Sequence, residues 1–223
     1  MDQLPPKQLI ASIYQQLLPS IQIESVSPVN PVQVDYLPKP WQILGLGNYA
    51  AVVYHPHYSD LVIKIYAPGR PGYEKEVEVY RRLGSHKAFS KCLYAKDNFL
   101  VLERLYGTTL YDCVHLGLYI PQQVINDIDD ALNYAQSRGL YPNDVHGRNV
   151  MMLRDKGLVV DVSDFLEPEI CSKWNDLKRA YYMIYLPIIA PLRLHLSYSV
   201  LDIIRRYYRR LNSFRKTLNQ IFF

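Results

Sequence analysis

Four groups of residues in this chain have the types and spacing to handle phosphate. The first is Gly45-Leu46-Gly47-Asn48-Tyr49-Ala50-Ala51-Val52. A loop of this kind exposes backbone N–H groups and lets the chain come close to a phosphate. A helix would follow it in a dinucleotide-binding unit, but here short apolar segments follow at Ala51 to His55 and Leu61 to Tyr66. That context predicts a glycine-rich β-hairpin lying over phosphates. The second group is Lys64 inside the strand Leu61 to Tyr66, with Glu76 twelve residues on in a helix candidate. An ion pair between them would fix the ammonium for nucleotide phosphates. The third is Asp144 and Asn149, five apart and just before an apolar strand. They offer an acceptor for a hydroxyl proton and an amide oxygen for a metal. The fourth is Asp161, which closes Leu158-Val159-Val160 and supplies a carboxylate suited to Mg²⁺.

The elements that must position these groups can be read along the chain. Residues 5–18 space Leu9, Ile10, Ile13, Tyr14, Leu17 and Leu18 as a short amphipathic helix. Residues 19–40 hold Pro19, Pro28, Pro31, Pro38 and Pro40 and read as an extended linker. Strands are predicted at Ile43 to Leu46, Ala51 to His55, Leu61 to Tyr66, Cys92 to Ala95 and Phe99 to Glu103. A helix at Tyr73 to Leu83 carries Val77, Tyr80 and Leu83 on one face. A second at Pro121 to Arg138 carries Val124, Ile128, Leu132 and Ala135. Asn149 to Leu153 and Leu158 to Asp161 read as a hairpin around Asp155-Lys156-Gly157. Trp174 to Tyr185 and Ser197 to Asn212 are the last helices. The order predicts an α+β protein with a β-rich lobe first and a helical lobe second. Its expected divisions are 1–40, a helix and Pro-rich linker; 41–105, the β-rich lobe and a connecting hinge; and 106–223, the helical lobe with a basic terminal helix.

These residues and motifs resemble the protein-kinase-like superfamily, in a short and divergent form. The resemblance runs from about Leu44 to Leu177, about three fifths of the chain. Gly45, Gly47 and Val52 match the glycine-rich loop, with Ala50 at the third glycine position. Lys64 matches the strand lysine, and Glu76 in Glu76-Val77-Glu78-Val79-Tyr80 its ion-pair partner. Leu100 to Gly107 resembles the hinge. The resemblance therefore implies ATP bound under Leu44, Gly45, Gly47 and Val52, with adenine at the backbone of Glu103 and Leu105. It also implies Asp144 as the catalytic aspartate, with Lys64 on the phosphates and Asn149 and Asp161 holding Mg²⁺.

The departures from the family pattern bear on activity. Pro142 and Asn143 stand where histidine and arginine are usual, and His146 stands where protein kinases have lysine. Asp161-Val162-Ser163 replaces Asp-Phe-Gly, with Asp164-Phe165 as a competing match. Trp174-Asn175-Asp176-Leu177 resembles the start of the central buried helix, so only fifteen residues separate Asp161 from Asp176. The platform that grips an extended peptide is mostly absent. Three functions remain open on these residues. One is an ATP- and Mg²⁺-dependent phosphotransferase acting on Ser/Thr hydroxyls. The others are a small-molecule kinase and a nucleotide-binding scaffold without catalysis. An unrelated α+β fold is the remaining alternative.

Composition sets the outer limits. The 223 residues are 49% hydrophobic and 21% charged, an ordinary folded balance. Cys92, Cys113 and Cys171 are too few and too far apart for a disulfide scaffold and fit a reducing, cytoplasmic setting. No signal peptide is expected at the start. The apolar window Ala180 to Leu192 is interrupted by Pro187 and Pro191 and is too short to span a bilayer. Residues 203–223 carry six basic residues and no acid, while the whole chain is +4, so the remainder is slightly acidic. The terminal helix is expected to dock Leu201, Ile204, Tyr208 and Leu211 on the helical lobe. Arg205, Arg206, Arg209 and Arg210 would then face solvent and could recruit an acidic partner. No nucleic-acid partner is expected.

Overall fold

The computed structural model describes residues 4–27, 30–169, 171–208 and 210. Its centre is a five-stranded antiparallel sheet with strand order β3-β4-β5-β7-β6. These strands are β3 (Gln42–Leu46), β4 (Ala50–Tyr54), β5 (Leu61–Tyr66), β6 (Cys92–Lys96) and β7 (Phe99–Glu103). Two earlier strands, β1 (Gln22–Glu24) and β2 (Gln33–Tyr36), form a separate pair. The alternation of side chains in β5 decides what lies on each face of the sheet. Ile63 and Ile65 point to one side with Val53, Phe99 and Val101. Helix α1 (Lys7–Ser12) and its continuation to Ser20 close that side with Leu9, Ile13 and Leu17, all fully buried. Val62 and Tyr66 point to the other, where α2 (Tyr73–Leu83) supplies Val79, Tyr80 and Leu83.

The buried stripe of α2 is Glu76, Val79, Tyr80 and Leu83, at helical spacing. The sequence placed Val77 on this face, but Val77 is only half-buried and a carboxylate holds the first position. The cause is a buried lysine on the facing strand, described below.

The expected linker 19–40 is not simply extended. The β1 and β2 pair within it is held by cross-strand bonding and by Val32, which is buried against Ala51 and Ala67. Val32 N–H donates to Gly47 C=O at 2.8 Å, so this hairpin docks beside the glycine-rich turn. Prolines at its ends leave the short strands free to pair.

After Glu103 come β8 (Thr108–Thr109), α3 (Leu110–Leu116) and α4 (Gln122–Ser137). Helix α3 was not predicted, although Thr109 caps it by accepting from Asp112 N–H at 3.0 Å. Strands β9 (Val150–Leu153) and β10 (Lys156–Val159) pair across Arg154 and Asp155, both with positive φ. The turn therefore falls one residue before the expected Asp155-Lys156-Gly157, as a two-residue turn of the type that matches strand twist. Gly157 lies so close to α4 that an added Cβ would sit 2.4 Å from Val124 O. Asp161 follows β10 by two residues instead of ending it. Helix α5 (Lys173–Ala180) continues as a wider π-helical stretch, Tyr181–Ile189. One hydrophobic core runs from the α2 side of the sheet through Phe89, α4 and Phe165 to Trp174 and Tyr181, so both lobes share it. No helix among the described residues is long and apolar enough to cross a membrane.

The terminal helix α6 (residues 198–208) docks differently from the expectation. Leu201 and Tyr208 face the body, and Tyr208 Oη donates to Asp176 Oδ2 at 2.8 Å. Ile204, however, is 54% exposed. Arg205 is half-buried and pairs with Asp202 at 3.3 Å. The seam is polar and aromatic, which explains the rotation. Asp202 accepts from Tyr111 Oη at 3.1 Å and Arg148 Nη2 at 3.3 Å, and Tyr198 stacks on His115 at 3.7 Å. Arg209, Leu211 and the rest of the basic tail beyond Arg210 lie outside the described residues.

Two stability tests follow from this packing. Ile13→Ala empties a fully buried site beneath the sheet and is expected to cost about 2–4 kcal/mol in denaturant melts. Ile204→Ala should stay within about 0.5 kcal/mol of the parent. Asp202→Ala should cost about 1–2 kcal/mol, because three donors lose a common acceptor. Equal effects at 202 and 204 would contradict the polar seam.

Candidate active site

Lys64 sits in the middle of β5 and points toward α2, so its ammonium must be neutralised where water is scarce. Glu76 does this. Lys64 Nζ lies 2.9 Å from Oε1 and 2.7 Å from Oε2, and the carboxylate is 1% exposed. Tyr66 Oη donates to Glu76 Oε2, giving the buried carboxylate a second donor. Burial first, and Glu76 next, push the Tyr66 phenol well above its ordinary range, so it stays a donor. Asp161 Oδ1 lies 3.4 Å from Lys64 Nζ on the open side of the pair. Burial alone would lower the lysine, but Asp161 and Glu76 outweigh it and hold the ammonium charged. Burial likewise opposes ionisation of Asp161. Lys64 and the Ser163 N–H, at 3.2 Å from Oδ1, overcome it and keep the carboxylate ionised.

These groups line one cleft of about 600 Å³ between the lobes. Its roof is the β3–β4 hairpin, closed by Gly47 N–H donating to Ala50 C=O at 2.9 Å. The ladder shifts register between Ile43 and Gly45. A methyl added at Gly45 would meet no atom within 4 Å, so nothing in the protein fills the space beside it. Leu44, Val52 and Leu102 lie along the roof and rear wall, and Met151 rises from the floor. At the rear the chain passes from β7 through Glu103, Arg104 and Leu105. Glu103 N–H bonds to Lys91 C=O at 2.9 Å, and Glu103 C=O accepts from Ser90 Oγ at 2.6 Å. Arg104 N–H bonds to Asp60 C=O at 2.7 Å. Leu105 N–H and C=O have no hydrogen-bond partner among the described residues and stand at the cleft edge.

The floor holds the loop Asn143 to Asn149. Asp144 adopts a left-handed conformation, φ 54°. Its N–H bonds to Asn143 Oδ1 at 2.9 Å, and its C=O accepts from Asn149 Nδ2 at 3.1 Å. Such a conformation is costly for a non-glycine residue, and these two bonds offset it. They also fix the Asn149 amide with its nitrogen committed to the loop. His146 Nδ1 accepts from Arg148 N–H at 3.2 Å, and Nε2 lies 3.7 Å from Asp144 Oδ2. Burial pushes His146 below its ordinary value, so the ring is neutral at pH 7. Lys173, at the start of α5, donates to Asp144 Oδ1.

The structure thus brings Lys64, Glu76 and Asp161 into contact, ties Asn149 to Asp144, and places Leu44, Gly45, Gly47, Val52, Glu103 and Leu105 around the same cleft. Asp164, the competing candidate for Asp161, also lines the cleft but makes no ion pair among the described residues. Tyr66 and Lys173 were not singled out from sequence. Tyr66 carried a readable signal, being two residues from Lys64 on the same strand face. Lys173 carried none, since its role depends on where α5 begins in space.

Asp164 provides a test of this electrostatic layout. Burial first, then Asp144, Asp161 and Glu167, raise its carboxyl above the ordinary 3.8. A raised carboxylate destabilises the fold once ionised. That penalty is absent below pH 3.8 and complete above the raised folded-state value. Asp164→Asn should therefore raise Tm at pH 7 by about 1–3 °C, corresponding to at most about 1 kcal/mol. The gain should vanish below pH 3.8. A gain independent of pH, or a loss at pH 7, would show that the acid cluster does not repel as described.

No protein-family profile matches the chain. Over 118 residues it is 32% identical to YrzF of Bacillus subtilis (strain 168), a protein provisionally named a serine/threonine-protein kinase. That match covers 52% of this chain and 55% of YrzF. Over 83 residues it is 24% identical to the serine/threonine-protein kinase KSP1 of Saccharomyces cerevisiae, covering 34% of this chain and 8% of KSP1. The chain thus spans about half the length of the first relative and less than a tenth of the second. Among solved structures it is similar to Rad53 residues 1–466 in complex with AMP-PNP, with 20% identity and a TM-score of 0.45. That match covers 54% of this chain and 36% of the Rad53 chain. With its sheet, its Lys64–Glu76 pair and its order of motifs, the chain is protein-kinase-like in sequence and in fold, in a short and divergent form.

Proposed function

We propose that this chain is an ATP- and Mg²⁺-dependent phosphotransferase that transfers a phosphoryl group to an alcohol, a Ser or Thr hydroxyl by preference. The observation that carries the proposal is the charged Lys64, held by Glu76 and turned toward the cleft beside an ionised Asp161. Holding an ammonium and a carboxylate together at a cleft wall is costly unless something charged is to be bound there. The open space at Gly45 supports close approach of phosphates under the hairpin. The Leu105 backbone, without a hydrogen-bond partner among the described residues, supports docking of an adenine edge, with Val52 and Met151 lining the same cleft.

In this reading Lys64 binds the inner phosphates of ATP and Glu76 keeps it aimed. Asp161 and Asn149 would hold Mg²⁺, and their hard oxygen donors suit that ion. When bound, the ion neutralises charge on the phosphates. Asp144 orients the acceptor hydroxyl and takes its proton as the new P–O bond forms and the bond to the ADP oxygen breaks. The fixed Asn143 and Asn149 bonds to the Asp144 backbone support that role, because a base must be positioned before it can act.

The test uses purified protein with Mg²⁺, labelled ATP, a Ser/Thr peptide library and a panel of small alcohols. Transfer by the parent chain is expected to fall by about 10²–10⁴-fold in Asp144→Asn and in Asp161→Asn. ATP with Mg²⁺ should raise the parent Tm by mass action. Transfer that survives both substitutions would overturn the assigned roles. Binding without any transfer would leave a nucleotide-binding scaffold in its place, and transfer to small alcohols alone would exclude the Ser/Thr preference.

A further inference from the structure

The cleft holds more acids than its cations can neutralise, and the imbalance is concentrated at one end. Lys64 is shared between Glu76 and Asp161. Lys75 is committed to Glu167 at the outer edge. Arg148 lies over the Tyr111 ring at 4.1 Å and pairs with Asp202. The His146 ring is engaged within its own loop, Nδ1 accepting from Arg148 N–H at 3.2 Å. Arg104, at the hinge, lies over the Tyr54 and Tyr106 rings, so Lys173 is the cation left beside Asp144 and Asp164 among the described residues. An incoming terminal phosphate, with up to two negative charges, would meet these carboxylates first if Lys173 were not there.

The lysine is built into this position. The next residue, Trp174, is buried, and its indole N–H donates to Asp129 Oδ1 at 2.7 Å. Ser172 Oγ donates to Asp176 Oδ2 at 2.8 Å across the first turn of α5. The backbone is thereby anchored to the helical lobe, while the Lys173 side chain stays 40% exposed and crosses to Asp144. Only eleven residues intervene between Asp161 and Lys173. A longer segment would carry the start of α5 away from the loop.

We infer that Lys173 is the phosphate-facing cation of the site, binding the terminal phosphoryl oxygens while it keeps the Asp144 carboxylate in place. This rests on the phosphotransferase reading and extends it to a residue outside the set expected from sequence. No proton leaves Lys173 in the step. The acceptor oxygen forms the new P–O bond, its proton passes to Asp144, and the bridging P–O bond breaks to release ADP. Lys173 Nζ donates hydrogen bonds to the transferring group throughout. A cation so placed favours a nucleotide with a third phosphate over one without it.

The experiment compares calorimetric affinities of the full chain for AMP-PNP and for ADP, each with Mg²⁺, so that turnover does not interfere. The parent is expected to bind AMP-PNP about tenfold more tightly than ADP. Lys173→Met should erase that difference and leave ADP affinity within about twofold, and Lys173→Arg should retain most of it. Circular dichroism and apo Tm establish that each variant is folded. In the transfer assay Lys173→Met should raise KM for ATP by about tenfold, matching the lost AMP-PNP preference, and lower kcat as well. If Lys173→Met lowers apo Tm and weakens both nucleotides equally, Lys173 is only a tether between α5 and the loop. An unchanged AMP-PNP preference in the variant, or none in the parent, also overturns the assignment. If the parent binds neither nucleotide, the phosphotransferase reading itself fails, and this inference with it.

Discussion

An ammonium buried in the middle of a β-strand is a demand that the rest of the fold has to meet. Lys64 stands on the face of β5 that also carries Val62 and Tyr66, and water does not reach it freely. Removing one partner from such a buried pair typically costs about 3–5 kcal/mol, because the remaining charge is left uncompensated. Glu76 must therefore lie on the buried stripe of α2, where an apolar residue would otherwise pack, and α2 must dock at the height of β5 residue 64. Tyr66 satisfies the remaining carboxylate oxygen from the same strand face. A one-residue slip in β5 would turn Lys64 toward α1 and its purely apolar Leu9, Ile13 and Leu17. The pair thus fixes the register of the sheet as well as the position of the helix.

The two sides of the sheet divide the work. The α1 side is built on buried apolar residues, Leu9, Ile13, Leu17, Ile63 and Phe99 among them, and their burial supplies stability without chemistry. The other side carries the charges, and its polar groups are satisfied by one another. The β1–β2 hairpin links the two requirements. It holds the turn of the glycine-rich hairpin from behind, through Val32 N–H to Gly47 C=O. Arg70 strengthens that hold by bonding Ser25 Oγ and Ser27 C=O, each at 2.6 Å. A glycine-rich turn left alone would lose order to backbone entropy. Bracing it from outside leaves the underside of the turn clear.

The sequence disclosed what depends on spacing and local pattern. The alternation in β5, the twelve-residue step from Lys64 to Glu76, and the five-residue step from Asp144 to Asn149 are all local regularities. It did not disclose what depends on three-dimensional compensation. The helical stripe of α2 was misread because a periodicity count favours Val77 over a carboxylate, and only the facing lysine reverses that preference. The α6 stripe was misread for the converse reason. Leu201, Ile204 and Tyr208 look like a docking face, but Asp202 finds two donors on the body, Tyr111 and Arg148, and turns the helix toward them, with Arg205 of the same helix as a third partner. The β1–β2 pair was hidden by its prolines, which read as breakers although they stand outside the strands.

The shortness of the segment after Asp161 has a mechanical consequence as well as an electrostatic one. Val162 and Phe165 are buried, Phe165 meets Phe89 edge-on at 6.3 Å, and Tyr141 N–H bonds to Phe165 C=O at 2.7 Å. The segment is nailed to the core within four residues of Asp161, and Trp174 fixes its far end. Asp161 thus lies beside one anchor, at Val162 and Phe165, and Lys173 beside another, at Trp174, and Lys173 ties Asp144 to the second. A long segment must be ordered separately before such groups align, and ordering each residue costs backbone entropy of about 1–2 kcal/mol. A short segment anchored at both ends has fewer residues to order. The charged groups beside its two ends are held in place by the fold itself.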